Sequence, residues 1–296
     1  MTYRQDKLNL YMLKTYNAKY VRFEDHIEVI RYGELKTHLS GEEHENKRIT
    51  GQITEPERKQ QLTEQAFRIK RKVKYYLQAN QFTLFWTLTF NDQKVNAKNY
   101  VYSRKRLQAW LKYQREKFGK FAYLFIPELH PESGRIHFHG VTGGLDPPLT
   151  VARYPKSGRR IVKNGVQIFN ADNWQSGFST VSTIQDKNKA ATYIAKYVTK
   201  ELMLLPTAYH QPRYFVSRGL KQPTVSYRKI SEEDLEMFKP KFVVGHVTSD
   251  TKHFESDISI YQIDISADGE LLQNASVETV WKLRNSERGT NMDADK

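Results

Sequence analysis

The sequence predicts a mixed α and β protein, and three observations carry that reading. Glu57–Leu77 and Tyr100–Phe118 repeat apolar residues at the spacing of amphipathic helices. Phe82–Phe90 is a run of aromatic and β-branched residues that reads as a buried strand. Two further apolar runs, Phe121–Ile126 and Ile136–Val141, flank the turn signal Pro131-Glu-Ser-Gly134 and predict a hairpin.

Taken in order, Tyr20–Ile30 supplies one or two strands. The polar stretch from His38 to Arg48, with Gly41 and three glutamates, reads as a loop or linker. His26, His38 and His44 read as surface histidines. In the first helix Leu62, Ala66, Ile69, Val73, Tyr76 and Leu77 form the apolar side, and Asn80 ends it. Its other side carries Arg68, Lys70, Arg71, Lys72 and Lys74, either a solvated face or a contact to a phosphate backbone, for which Arg71 and Lys74 are the candidates. Phe82, Leu84, Trp86, Leu88 and Phe90 share one face of the strand that follows. Tyr100, Leu107, Trp110, Leu111 and Phe118 mark the second helix, closed by Gly119 at its C-cap.

If Ser133-Gly134 is the centre of the hairpin turn, His130 lies opposite His137 and Glu128 opposite His139, with all four on one side. Gly143–Gly165, with Pro147-Pro148 and the cluster Arg153, Lys156, Arg159 and Arg160, reads as a long surface loop. A helix is expected from about Asp186 to Leu202. Ala191, Ile194, Ala195, Val198 and Leu202 form its apolar stripe, and Tyr193, Lys196, Tyr197 and Lys200 gather on the opposite side. Beyond Pro206 the pattern weakens. Arg213–Pro223 is basic and aromatic, and Arg213, Arg218 and Lys221 are candidate DNA contacts together with Lys200. Glu232–Phe238 suggests a short helix, and Phe242–Val247 and Ile258–Ile265 alternate like strands. The tail from about Asn285 is polar and expected to be disordered.

Composition narrows the function classes. With 47 Lys and Arg against 33 Asp and Glu, the formal charge is +14, which draws the chain to polyanions and above all to nucleic acid. The 18 tyrosines and 15 phenylalanines are mostly core, but aromatics beside cations also suit unstacked bases. The absence of cysteine excludes disulfides, Cys-ligated zinc and thiol nucleophiles. No stretch has the length and apolarity of a membrane span, and the N-terminus lacks the apolar core of a signal peptide. The expectation is a cytoplasmic protein without a membrane partner. No Gly-x-x-x-x-Gly-Lys-Ser/Thr stretch occurs, so a fused P-loop helicase is not expected.

The chemistry centres on Gly134-Arg-Ile-His-Phe-His-Gly140 and Tyr193-Ile-Ala-Lys-Tyr-Val-Thr-Lys200. Histidines two apart on a strand point to the same side, and two imidazoles with a carboxylate suit a divalent metal that keeps positions open for substrate oxygens. Tyrosines four apart on a helix share a face. A tyrosine hydroxyl can attack a polarised phosphodiester to give a 5′-phosphotyrosine and a free 3′-OH. Its ordinary pKa near 10 calls for help from the metal or from Lys196. The histidine motif by itself is weak, since it also occurs in cupins and zinc hydrolases.

Three motifs in order raise its weight: Phe85-Trp-Thr-Leu-Thr-Phe90, His137-Phe-His139 and Tyr193-x-x-Lys196-Tyr197. Through them the chain resembles the rolling-circle replication initiators of the HUH endonuclease superfamily, in the two-tyrosine form of small single-stranded DNA phages and some bacterial plasmids. The resemblance spans about residues 57–205. It implies an α+β fold, with a central antiparallel sheet of the ferredoxin/RRM-like kind flanked by helices. The nicking domain would then be 56–205, with an N-terminal extension at 1–55 and a C-terminal region of unknown role at 206–296. It implies a metal, Mg²⁺ or Mn²⁺, on His137 and His139. The third ligand would come from the neighbouring strand, with Glu128 first and His130 second. It implies Tyr193 and Tyr197 as alternating nucleophiles, single-stranded origin DNA as substrate, and a bacterial host supplying helicase and polymerase. Relaxases of the superfamily carry their tyrosines before the histidines, single-strand transposases are shorter, and a non-catalytic binding module leaves the metal triad and the tyrosine face unexplained.

Overall fold

Alternating patterns resolve into three helices and fifteen strands in a computed structural model that describes residues 12–40, 54–130, 132–198, 211–247, 254–274 and 276–284. In chain order these are β1 (Met12–Arg22), β2 (His26–Ser40), α1 (Glu55–Ala79), β3 (Leu84–Phe90), α2 (Tyr100–Phe118), β4 (Ala122–Leu129) and β5 (Ile136–Gly143). There follow β6 (Leu149–Val151), β7 (Val162–Lys163), β8 (Val166–Gln167), β9 (Phe169–Ala171), β10 (Gly177–Thr183), α3 (Lys187–Ala195) and β11 (Phe215–Val216). The chain closes with β12 (Thr224–Arg228), β13 (Phe242–Val247), β14 (Phe254–Asp264) and β15 (Val280–Leu283). The fold is α+β, with large, chiefly antiparallel sheets.

The chain divides into two compact units: residues 49–222, and residues 1–48 together with 223–296. The first holds a seven-stranded antiparallel sheet in the order β11-β4-β5-β3-β10-β9-β6. Its helices begin and end where the sequence carries caps. Thr54 and Glu57 form a reciprocal capping box at the start of α1, and Asn80 caps its end. Asn99 accepts from Val101 and Tyr102 at the start of α2, and Gly119 closes it at φ 84°. Strand alternation sorts the sheet into two faces. Trp86, Leu88, Phe90, Phe125 and Phe138 go to one, where Tyr100, Leu107, Trp110 and Leu111 of α2 cover them. Leu124, Ile126 and Val141 go to the other, against Ala66, Val73 and Leu77 of α1 and Ala191, Ile194 and Val198 at and after α3.

The second unit is a six-stranded sheet, β12-β1-β2-β14-β13-β15, in which only β15 runs parallel to its neighbour. Ala18, Ile27, Val29, Tyr261 and Ile263 pack there with Leu235, the last residue of a 3-10 turn at Glu233–Leu235, and with Phe238 beyond it. The linear division into an N-terminal extension and a C-terminal region therefore does not describe this unit, because strands from both ends pair directly: β1 with β12, and β2 with β14. Pairing between distant strands leaves no local signal in a sequence.

Several local expectations change. Residues 38–40 extend β2 instead of starting a loop. His26 is buried, stacked on Phe23 with centroids 4.4 Å apart and hydrogen-bonded through Nδ1 to Asp25 at 2.6 Å, so it is no surface histidine. The stretch from Gly143 to Gly165 is no open loop but is folded into β6, β7 and tight turns. The described helix α3 stops at Ala195, because Lys196, Tyr197 and Val198 bond back only three residues, in a tightened last turn. The stretch 41–48, His44, Lys200, Leu202 and the tail from Asn285 lie outside the described residues. Among the described residues no helix is long and apolar enough to cross a membrane.

Candidate active site

β4 and β5 bring the predicted ligands to one face, although in a different register. Glu128 pairs with His137, and Ile126 with His139. His130 pairs instead with Arg135, its N–H donating to the Arg135 carbonyl at 2.9 Å. The turn is centred one residue earlier than the sequence suggests, because Gly134 at φ 66° closes it by donating its N–H to the His130 carbonyl. The slip is two residues in pairing, an even number, so Glu128, His137 and His139 keep the same face. Glu128 now faces His137 directly and His139 diagonally, and its Oε2 lies 2.6 Å from His139 Nε2. The His130 ring lies alongside that of His137, with centroids 5.7 Å apart.

Each histidine is also held from behind. Thr87 pairs with His139 across β3 and β5, and its hydroxyl lies 3.2 Å from His139 Nδ1. Thr89 Oγ1 lies 3.3 Å from His137 Nδ1. Sequence reasoning treats Phe85–Phe90 as a structural strand and misses this role. The signal was there, since Thr-x-Thr repeats with the same period of two as His-x-His. A hydroxyl both donates and accepts, so Thr87 can hold the ring whether Nε2 carries a proton for Glu128 or a lone pair for a cation. Gly140 has a packing role as well. A Cβ there would stand 2.2 Å from the Phe125 ring, so only glycine lets β5 lie this close over the core.

Protonation suits ligation. The hydrogen bond from His139 holds the Glu128 carboxyl below its usual range, against the opposing effect of burial. Burial holds His137 below the usual imidazole range, favouring the neutral ring, while Glu128 pulls the other way. Among the described residues no three His, Asp or Glu side chains stand ready-made around a metal position, and the Glu128 carboxylate lies against His139 Nε2. Two imidazoles and a carboxylate on one sheet face fit a divalent ion in donor type.

α3 carries the tyrosines to the same place. Asp186 caps it by accepting from Asn188 and Lys189. Tyr197 lies flat on His139, with centroids 3.5 Å apart and planes 2° apart. Tyr193 stands edge-on to Tyr197 at 5.3 Å and to Phe85 at 5.4 Å. The two are not equivalent. Tyr193 is 47% exposed, with Lys196 Nζ 5.8 Å from its ring centre. Tyr197 is half-buried against the α1 and α3 core, so only Tyr193 keeps clear of that core, contrary to the helical-wheel expectation for both. Burial first, then its hydrogen bond with Tyr193, pushes the Tyr197 hydroxyl well above the usual phenol range.

The structure brings together Glu128, His130, His137, His139, Tyr193, Lys196 and Tyr197. Of the described DNA-contact candidates, Arg213 is not among them. Arg213 sits beside Tyr100 on the α2 side of the sheet, opposite the histidines, and burial lowers its pKa. Arg71, Arg218 and Lys221 are exposed, and Lys221 is tied through its backbone to Asn80. Lys74 is half-buried on α1.

Neither the curated proteins nor the solved structures give a match to the chain. Residues 83–202, which span the threonine strand, both histidines and both tyrosines, match the family model of the replication-associated proteins of the ORF2 type, consistent with a rolling-circle replication initiator.

Proposed function

We propose that the chain is a site-specific nickase and strand transferase for single-stranded DNA that initiates rolling-circle replication through a 5′-phosphotyrosine intermediate. The observation that carries this reading is the stacking of Tyr197 on His139, the same imidazole that Glu128 engages. That contact puts the tyrosine pair within reach of the donor set. His137, His139 and Glu128 would hold Mg²⁺ or Mn²⁺, which when bound polarises a phosphodiester and offsets the charge that builds on it. The chain's own residues do the rest. Glu128 stays anionic and His137 neutral, the states that ligation needs. Thr87 and Thr89 orient the two rings.

Tyr193, exposed and beside Lys196, is the nucleophile for the first cleavage in this reading. Its hydroxyl oxygen bonds to phosphorus, the bond from phosphorus to the 3′-oxygen breaks, and the 3′-oxygen leaves as a hydroxyl. The nearby ammonium stabilises the phenolate as it forms. Tyr197, half-buried over His139, is held for the second cleavage, after which the released 3′-OH can resolve the first ester. Energy conserved in the protein ester lets strands be rejoined without ATP. Origin DNA is the substrate, and helicase and polymerase come from the host.

The test is incubation with single-stranded oligonucleotides tiled across the replicon that encodes the chain, with Mn²⁺ or Mg²⁺, followed by a denaturing gel. A covalent protein–DNA band is expected, dependent on the metal and absent from the Tyr193→Phe/Tyr197→Phe double variant. No band with any oligonucleotide, or cleavage that survives in the double variant, overturns the reading.

A further inference from the structure

The segment between β6 and β9 has no part in the chemistry above, yet it is a well-built element. The chain from Val151 to Ile168 folds back on itself twice. The first turn is closed by Tyr154 N–H to the Arg159 carbonyl and by Gly158 at φ 66°. The second is Asn164-Gly165, both at positive φ, the two-residue turn that matches the twist of a hairpin. Backbone bonds from Ile161 to Ala152 and from Ile168 to Ile161 knit the three passes into a narrow ribbon. It continues from β6 at the edge of the seven-stranded sheet, with its β8 strand against β10, and starts four strands from β5, or about 19 Å from the histidine strand at about 4.8 Å per strand.

Its charge is not offset by any acidic group among the described residues, although Arg153 Nη1 donates to the Gly158 carbonyl within the ribbon at 2.9 Å. Residues 147–171 contain no Asp or Glu, while Arg153, Lys156, Arg159, Arg160 and Lys163 are all exposed. Among the described residues none of the five has an ion-pair partner. Arg153 and Arg160 sit directly opposite each other across the two strands, an arrangement that repels unless an anion lies between. Alternation puts Arg160 on one face of the ribbon and Arg159 and Lys163 on the other.

We propose that this ribbon is a docking element for the sugar–phosphate backbone of double-stranded DNA beside the cleavage site. A two-stranded ribbon fits the roughly 12 Å major groove, and cations on both its faces meet a phosphate wall on each side. A single strand offers one row of phosphates and is held by a series of stacking aromatics. The ribbon presents only Tyr154, 51% exposed. Duplex next to nicked single strand is the substrate form that the nickase reading implies, and the partner assignment rests on that reading.

The experiment compares the full chain with the Arg153→Ala/Arg159→Ala/Arg160→Ala/Lys163→Ala variant, by fluorescence anisotropy across a salt series. The probes are a duplex of about 30 base pairs of arbitrary sequence and an oligo-dT of the same length. Each neutralised phosphate contact lowers the salt slope on duplex by about 0.9, so four lower it by about 3.6. Single-strand binding is expected to change by less than about threefold, and adduct formation on single-stranded substrate not at all. An Arg159→Lys/Arg160→Lys variant should retain the duplex slope. Equal losses on both probes, or no loss on duplex, overturn the proposal. A wild-type chain that binds duplex through the ribbon but forms no adduct refutes the nickase reading alone.

Discussion

The two faces of the seven-stranded sheet are made from the same three strands and are covered differently. On one, Trp86, Leu88, Phe90, Phe125 and Phe138 pack beneath α2. On the other, from the same β3, β4 and β5, Leu124, Ile126 and Val141 pack against α1 and α3, and beside them stand Thr87, Thr89, His137, His139 and Glu128. Trp86 and Phe138 have no exposure and His139 keeps only 6%, while His137 and Glu128 are half-buried. A ligand set needs fixed backbone but accessible side chains, and strand alternation supplies both by giving odd and even positions different tasks. The aromatic face and the apolar part of the second face keep the strands in place, and the candidate site lies at the polar side chains of the second.

That division can be broken from either side. The largest effect is expected from His137→Ala, which should abolish the covalent adduct while unfolding free energy stays within about 1 kcal/mol of wild type. Denaturant unfolding alongside the gel assay checks both halves. Phe138→Ala, the neighbour on the other face, should do the reverse, costing about 3–5 kcal/mol of stability. Measured at a temperature where the variant remains folded, it should still form adduct, and a normal unfolding midpoint would count against the rigid-floor account.

Thr87→Val tests the support behind the ligands. It should weaken Mn²⁺ binding by about 10–100-fold in calorimetry and leave the melting curve close to wild type. Gly140→Ala pushes the polar strand off its floor, since the new methyl meets the Phe125 ring. We expect a loss of about 1–3 kcal/mol, read from the unfolding midpoint. The smallest effects should come from the single tyrosine changes. Tyr193→Phe and Tyr197→Phe should each leave some cleavage, with the greater loss of first-turnover rate in Tyr193→Phe, because its hydroxyl is the accessible one. Equal loss in the two would mean that the burial of Tyr197 does not rank the nucleophiles.

Much of the first unit was legible in the sequence because its signals are local. Tyr100 opens the apolar pattern of α2 and Gly119 marks its end, and the helix spans Tyr100–Phe118. Leu84, Trp86, Leu88 and Phe90 announce one face of β3 by alternation alone. His137 and His139 required only a period of two, and Glu128 kept their side despite the wrong register, because the error was even. The α3 reading suffered from the opposite weakness. The wheel put both tyrosines on a free face, but the helix tightens after Ala195 and carries Tyr197 onto His139.

The sequence by itself determined which residue types stand two and four apart, and therefore which side chains share a strand or a helix face. It also determined the charge of the ribbon at Arg153–Lys163, though not that this stretch is folded. Only the tertiary structure decided that β1 and β2 pair with β12 and β14 from the far end of the chain. It alone set Thr87 and Thr89 behind the histidines and gave the two tyrosines unequal exposure. The physical reason is the range of the forces involved. Propensity, capping and alternation act over a few residues, whereas strand partners, ring stacking and burial depend on what packs from elsewhere in the chain.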